Sequence, residues 1–330
     1  MKRREFITLI SGAAACWPLA SFAQPAEGMR RIGVLFVTDE KVPVAAARKA
    51  ALQDGLQSLG WFEGKNIEID YRFGGGDAKR VESEAAELLH SNPDLILAQG
   101  VLGAQSMRRA TLSVPVVFVQ VADPVGGGFV RNLAHPGGNM TGFTDAEYAM
   151  SGKWLQILKE IAPLVKRVLV LLSPGNTARW TGYFQALQAT APTIGVEIIP
   201  GAVRDLDDIS RNIEAFAGAH AVGLLVPPDA ITTEHQQTIF ALANRHRLPA
   251  IYPYRFWTEA GGLLSYGSDT VGQFRQAASY IDRILKGTSP ADLPVQATVR
   301  FELAVNLKAA KTIGLEVPPT LLARADEVIE

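Results

Sequence analysis

Cysteine is nearly absent from this chain, which has Cys16 as its single cysteine among 330 residues. Cys16 lies in an N-terminal segment that we expect to be removed, so the predicted mature protein has no disulfide and no reactive thiolate. The five histidines are not paired with ligands at metal-binding spacing, so no metal site is predicted.

An excess of charge of one sign is also absent, since 32 basic and 33 acidic side chains give a formal net charge of −1. This balance, without any basic cluster, argues against a nucleic-acid partner.

Recognisable catalytic motifs are also missing. The G-x-S-x-G elbow of serine hydrolases does not occur in the sequence. Residues 60–66 resemble a phosphate-binding loop, but they lack Ser or Thr after Lys65 and run from helix to strand, the reverse of the required order. The glycines at 74–76 follow a predicted strand, but no glycine comes after them at the spacing that the G-x-G-x-x-G loop of dinucleotide-binding proteins requires. We therefore expect no cofactor and no enzymatic activity, with an exported oxidoreductase as the remaining enzyme hypothesis.

Apolar stretches of the ~20 residues needed to span a bilayer are missing after the N-terminus. The N-terminus has the layout of a secretory signal peptide, with the basic KRR at 2–4 and a short apolar stretch at 6–19. We expect cleavage near Ala23/Gln24, which removes residues 1–23 and leaves the mature protein in the periplasm. The paired arginines are typical of the twin-arginine export signal. Lipoprotein processing at the lone cysteine is a minor alternative.

Short β-branched stretches alternate with helical patterns along the rest of the chain. This alternation predicts an α/β fold whose parallel strands are covered by helices on both faces. The pattern runs twice, which predicts two Rossmann-like lobes joined by a hinge. We place the first lobe at 30–143, with 270–290 returning to it. The second lobe is placed at 144–269, with 291–330 returning to the second lobe or the hinge.

Helical periodicity is clear in the first predicted helix, at 44–59. Apolar residues recur there at steps of three and four, which is the spacing of one helix face. The residues that define this face are Ala47, Ala51, Leu52, Leu56 and Leu59.

Polar and aromatic side chains follow many of the predicted strands at their carboxyl ends. Ligands bind at that edge of open parallel sheets, and two such edges facing each other would form one cleft. For each residue taken singly, ordinary turn and cap chemistry is an equally good explanation. The candidate ligand-binding residues are Thr38, Asp39, Gln99, Gly100, Gln120, Asp123, Asn176, Asp229, Tyr252, Tyr254, Tyr266 and Asp269.

The order of several motifs along the chain resembles the ABC-transporter substrate-binding protein family, which includes tryptophan- and tyrosine-associated binding components of bacteria. The likeness covers essentially the whole chain. Its motifs are IGVL at 32–35, LGW at 59–61, EGKNI at 63–67, VVF at 116–118, ADPVG at 122–126, LAHPGGNMTG at 133–142, RHRLPAIY at 245–252, EAGGLLSYG at 259–267 and LLARADEVI at 321–329.

The resemblance implies a type I periplasmic binding fold, in which two lobes close on a ligand. Family members deliver a small solute to an inner-membrane permease and carry out no chemistry, so a monomer that captures an amino acid or an aromatic or carboxylate compound is expected. Asp123, Asp229 and Asp269 would accept hydrogen bonds from the ligand. Gln99 and Asn176 would orient it, and the tyrosines would stack on its flat or apolar body.

Two departures from the family pattern affect the expected ligand. After the third strand, members often have Thr-Gly-Thr or Ser-Gly-Thr, whereas this chain has Gln99 followed by Gly100 and Val101. After the first strand of the second lobe, Ser173 replaces the usual Asn while Asn176 is kept. An amino-acid ligand is therefore not simply inherited. A periplasmic sensor that signals to a membrane kinase is the alternative function, because the same fold serves both roles.

Overall fold

The computed structural model describes residues 28–145, 147–175, 177–217, 221–297 and 300–330. The predicted signal peptide, its cleavage site and the lone cysteine lie outside these residues. Within the described part of the chain, no helix is both long enough and apolar enough to cross a membrane.

The first part of the chain alternates strand and helix, as its sequence pattern predicts. Pro43 opens the first helix, because its ring holds φ near the helical value. The carboxylate of Asp77 caps the second helix by accepting the Arg80 N–H at 2.8 Å. In chain order the elements are β1 (Arg30–Phe36), α1 (Pro43–Ser58), β2 (Ile67–Phe73), α2 (Ala78–His90), β3 (Leu95–Gln99), α3 (Gly100–Ala110), β4 (Val116–Ala122) and β5 (Met140–Asp145).

The second part repeats the alternation and ends in a more irregular tail. Its elements are α4 (Glu147–Ile161), β6 (Arg167–Leu172), α5 (Thr177–Ile194), β7 (Glu197–Ala202), α6 (Leu206–Ala217), β8 (Val222–Leu225), α7 (Ala230–Glu234), α8 (Gln236–Arg245), β9 (Ala250–Tyr252), α9 (Arg255–Glu259), β10 (Leu264–Ser268), α10 (Thr270–Leu285), a 3₁₀ turn (Pro290–Asp292), β11 (Gln296–Ala297), β12 (Phe301–Asn306), α11 (Leu307–Ile313), α12 (Pro319–Leu322) and β13 (Glu327–Ile329).

The described strands form two sheets. The first has the order β11-β5-β4-β3-β1-β2, and all of its pairings are parallel. The second has the order β13-β12-β10-β9-β8-β6-β7, and it is parallel except for the β10–β12 pair. Each sheet has an apolar cluster on both faces, which explains why its central strands are almost continuously hydrophobic.

Two late segments return to the first sheet. Helix α10 packs against α1 and β4. Strand β11 pairs with β5, although 291–330 had been expected to join the second lobe or the hinge. The reason lies in the approach to β11, where the hydroxyl of Thr141 donates to the carbonyl of Leu293 at 2.6 Å and the Leu293 side chain is fully buried in the first lobe. The tail then pairs β12 with β10, so successive strands of the described residues change sheet three times.

Candidate functional site

A cleft of about 470 Å³ lies between the two sheets, at the carboxyl ends of their strands. This volume falls in the ~300–1,000 Å³ range of small-molecule sites. Both lobes contribute polar side chains to its wall. From the first lobe these include Thr38, Arg48, Asp77, Gln99 and Gln120, and from the second Ser173, Arg179, Asp229, Thr233 and Tyr254. The arrangement can surround a small ligand from two sides.

Half of the twelve residues predicted from the sequence line this cleft. They lie in the last residues of a strand or just after it, at β1, β3 and β4 in the first sheet and at β8 and β9 in the second. This is the edge at which open parallel sheets bind ligands, which is why the sequence could place them. The six are Thr38, Gln99, Gly100, Gln120, Asp229 and Tyr254. The hydroxyl of Thr38 is buried and has no hydrogen-bond partner among the described residues. It is therefore available to a ligand.

Three predicted carboxylates lie outside the cleft wall, where they hold turns or cap a helix. Asp123 accepts the N–H of Gly126 at 2.8 Å within a turn. Asp269 caps α10 by accepting the N–H of Gly272 at 2.7 Å. Asp39 holds its own loop by accepting the Lys41 N–H at 3.0 Å. These are the turn and cap roles that the sequence pattern left open for each residue.

Two of the predicted tyrosines belong to the core. Tyr252 is 1% exposed and stacks on Trp257 with ring centroids 5.1 Å apart, and burial raises the pKa of its phenol. Tyr266 packs beside Phe301, and its backbone carbonyl accepts the Trp154 indole N–H. Neither ring lines the cleft. Asn176, the remaining candidate, lies outside the described residues.

A chain of amides connects the cleft to the junction between the lobes. Gln99 accepts the Val37 N–H at 3.2 Å and donates to the Gln120 side chain at 3.1 Å. Gln120 has a left-handed φ of 59°, and its own N–H donates to Gln273 of α10 at 3.1 Å. Gln273 then donates to Asp145 at 2.7 Å. Because both glutamines on the cleft wall are held this way, their positions are fixed before a ligand arrives.

Asp145, at the end of β5, is a buried carboxylate at the point where the chain first leaves the first sheet. One of its oxygens accepts hydrogen bonds from Ser268 Oγ and Gln273 Nε2, each at 2.7 Å. The other oxygen accepts a hydrogen bond from the Tyr254 hydroxyl at 3.3 Å. Its donors therefore come from β10, α10 and the loop after β9. Sequence reasoning missed Asp145, since nothing in the local sequence distinguishes it from a strand-ending turn residue.

Arg179 and Asp229 face each other across the second lobe's side of the cleft. Arg179 Nη1 lies 3.9 Å from Asp229 Oδ2, and both side chains are largely buried. Burial raises the pKa of Asp229, while the nearby Arg179 charge and the N–H of Ile231 act in the opposite direction. The Asp229 carboxylate therefore has partners of its own within the second lobe. Arg179 was not predicted from the sequence.

The rim of the cleft carries a direct contact between the lobes. The backbone N–H of Asp39 donates to Glu234 Oε1 at 2.5 Å. Burial raises the pKa of Glu234, assisted by the Asp39 charge and opposed by this hydrogen bond and by Arg80. Between its ordinary and its raised pKa, the folded protein keeps a proton that the unfolded chain has lost. The free energy of unfolding contributed by Glu234 therefore falls as pH rises through that window.

Glu234→Gln is expected to remove this part of the pH dependence. The amide keeps an oxygen for the Asp39 N–H and has no charge to desolvate, so at pH 7 the variant should be as stable as the wild type or more stable by up to about 1 kcal/mol. Urea denaturation from pH 4 to pH 8 measures this effect. Glu82→Gln, on the exposed face of α2, is the control, and its unfolding free energy should depend on pH as that of the wild type does. If the unfolding free energies of Glu234→Gln and the wild type depend on pH in the same way, Glu234 does not contribute this pH dependence.

A family model described as ABC transporter substrate binding protein matches residues 35–329. The chain belongs to the ABC transporter substrate-binding protein family. A curated "Tyrosine-binding protein" from Clostridioides difficile is 27% identical over 263 residues, which cover 79% of this chain and 74% of that protein. These substrate-binding proteins bind small molecules and work with ABC permeases outside the cytoplasm, and they are not enzymes.

Solved structures agree with this assignment. A conserved domain protein from Vibrio cholerae superposes with a TM-score of 0.84 at 28% identity, covering 91% of this chain and all of that one. An ABC domain from Streptococcus pneumoniae in complex with L-Trp gives a TM-score of 0.83 at 26% identity, covering 92% of this chain and all of that one. The predicted fold class, the type I periplasmic binding fold of this substrate-binding family, is confirmed.

Proposed function

We propose that this substrate-binding protein is the periplasmic component of an ABC importer and captures a small organic solute in the cleft between its lobes. The observation that carries the proposal is the position of the cleft, which is walled by polar groups from both sheets at their carboxyl ends. Export would depend on the predicted signal peptide at residues 1–23. The mature protein would act as a monomer that meets its permease in the ligand-bound form.

Capture would operate by closure of the lobes. A ligand that contacts Thr38 and Gln99 on one side and Arg179 or Asp229 on the other makes its full set of interactions only when the lobes are together. Such a ligand shifts the equilibrium toward the closed form by its difference in affinity for the two forms. The hydrogen bond between the Asp39 N–H and Glu234 at the rim would further stabilise the closed form. The connections from β5 to α4, from β10 to α10 and from β11 to β12 would act as the hinge.

A thermal-shift screen tests the proposal directly. The library should contain amino acids, organic acids, polyols and sugars, because a solute that binds only the native state raises the unfolding temperature as its concentration exceeds Kd. L-tryptophan and L-tyrosine belong in the panel because of the names of the two relatives. Small-angle scattering of the best ligand's complex should then show a smaller radius of gyration than the free protein. Absence of any saturable ligand in this panel would contradict the proposal.

Two matched substitutions locate the binding. Val101 lines the cleft in the first turn of α3, so Val101→Trp should fill the space and abolish binding. Val125 is exposed in a turn outside the cleft, so Val125→Trp adds the same side chain without obstruction and should leave Kd within about twofold. Equal binding by both variants would place the ligand elsewhere.

A further inference from the structure

Arg48 is a buried cation in the wall of the cleft. It lies on α1 with 2% of its surface exposed, and its guanidinium is 5.6 Å from the ring centroid of Phe256 and 5.8 Å from that of Phe274. Its Nε and Nη1 atoms have no hydrogen-bond partner among the described residues. Burial lowers its pKa only to about 10, so the side chain is charged at neutral pH. A buried charge of this kind is costly unless an anion accompanies it.

The neighbouring protein carboxylate does not supply that anion by direct contact. The charge of Asp145 acts on Arg48, but the Asp145 oxygens accept hydrogen bonds from Ser268, Gln273 and Tyr254. A second group near the same wall is also unsatisfied, since the Thr38 hydroxyl is 3% exposed and lacks a partner. A guanidinium and a hydroxyl together are donors suited to a carboxylate.

We infer that the ligand of this cleft carries a carboxylate that binds at Arg48 and that it has no ammonium group beside that carboxylate. The inference deepens the proposed solute-binding function and rests on it. The remainder of the ligand would be apolar and ring-sized. The apolar residues of the cleft wall that would contact this part of the ligand include Val37, Leu102, Pro228, Ile231 and Phe256.

The exclusion of the ammonium follows from the acceptors around Arg48. In an α-amino acid the ammonium is two bonds from the carboxylate carbon, so it would also lie close to the Arg48 cation and be repelled by it. Asp145, the carboxylate whose charge reaches Arg48, is already occupied by three donors. Asp229 has Arg179 and the Ile231 N–H as partners, and Asp77 caps α2 by accepting the Arg80 N–H. An ammonium at this position would therefore lose its hydration without gaining an anionic acceptor.

Matched ligands test the inference on the wild-type protein. Indole-3-propionate keeps the ring and the carboxylate of L-tryptophan and lacks the ammonium, whereas tryptamine keeps the ring and the ammonium and lacks the carboxylate. The series 3-phenylpropionate, L-phenylalanine and 2-phenylethylamine repeats the comparison with a smaller ring. Titration calorimetry measures Kd for each compound. Whichever of indole-3-propionate and 3-phenylpropionate binds more tightly should have a Kd at least tenfold lower than that of the amino acid with the same ring, and tryptamine and 2-phenylethylamine should not bind.

Substitutions of Arg48 test whether the ligand carboxylate binds at this residue. Arg48→Gln should weaken binding of the carboxylate about 100-fold, in the range expected for loss of a charge-assisted contact. Arg48→Lys keeps the charge without the planar fork and should lose about tenfold, which keeps the test decisive if the glutamine variant does not fold. Arg275→Gln is the control, because Arg275 is exposed on α10 and pairs with Asp54 at the surface. It should retain the wild-type Kd.

The possible results separate this inference from the proposed function. Tighter binding of the carboxylate with a strong Arg48 dependence supports it. Tighter binding of L-tryptophan or L-phenylalanine, or carboxylate binding that survives Arg48→Gln, overturns the inference while the solute-binding function stands. Failure of both carboxylates to bind also overturns it. Failure of the entire solute panel above would remove the proposed function as well.

Discussion

Gly267→Ala is expected to destabilise the protein by about 3 kcal/mol or more. Gly267 is a buried residue of β10, opposite Glu302 of β12. A Cβ atom at this position would lie 1.7 Å from the carbonyl oxygen of Pro253. Since the obstacle is backbone rather than a flexible side chain, either β10 or the loop after β9 has to move. That movement would also displace the neighbouring Ser268, which donates to Asp145.

Urea denaturation measures this loss as a lower midpoint with an unchanged slope. Gly138→Ala is the matched control, because a Cβ there meets nothing within 4 Å and the residue is exposed. The control should stay within about 1 kcal/mol of the wild type and can be slightly stabilised, since alanine restricts the unfolded chain. A Gly267→Ala protein as stable as the control would show that the strand can shift at little cost.

Asp145→Asn should cost about 2–4 kcal/mol of unfolding free energy. The amide has one acceptor oxygen, whereas the carboxylate of Asp145 accepts Ser268 and Gln273 on one oxygen and Tyr254 on the other. The change also removes the negative charge that acts on buried Arg48. Because the donors come from elements of both lobes, the loss should be accompanied by a less defined arrangement of the lobes.

The same denaturation experiment measures this effect, with scattering of the free protein as a second readout. Asp54→Asn makes the identical chemical change at an exposed site that pairs with Arg275 at 3.7 Å. It should change stability by no more than about 0.5 kcal/mol, as most surface substitutions do. If the two variants are equally stable, the Asp145 network does not contribute to the fold as inferred.

The alternation of strands and helices was predictable because it depends on local properties. Strands buried on both faces are nearly continuous runs of Val, Ile, Leu and Phe, and helices show three- and four-residue periodicity. Some short elements were not predicted in this way. The helix α9 and the strand β13 have five residues or fewer, and their conformation depends on contacts with distant segments, such as the pairing of Glu327 with Ala304.

Helix α1 shows how a small error in a helix face hides a functional candidate. The expected apolar face contained Ala47, but residue 47 is exposed and Arg48 is turned inward on the same stripe as Ala51 and Leu52. The available signal was a charged residue on the buried side of a helix, which is rare without a partner or a function. Hydrophobic periodicity alone passes over it, because it assigns any arginine to the surface.

The sequence by itself determined the fold class and the family, since hydrophobic periodicity and ordered motifs are properties of the chain alone. It also located Gln99, Gly100 and Gln120, because the end of a parallel strand is a local feature that always faces the ligand edge of its sheet. Only the tertiary structure decided which ends meet across the cleft. Asp123 caps a turn and Tyr252 enters the core, whereas Arg48 and Arg179 reach the wall from helices. The reason is physical: whether a side chain binds a ligand or fills a core depends on which distant surface packs against it.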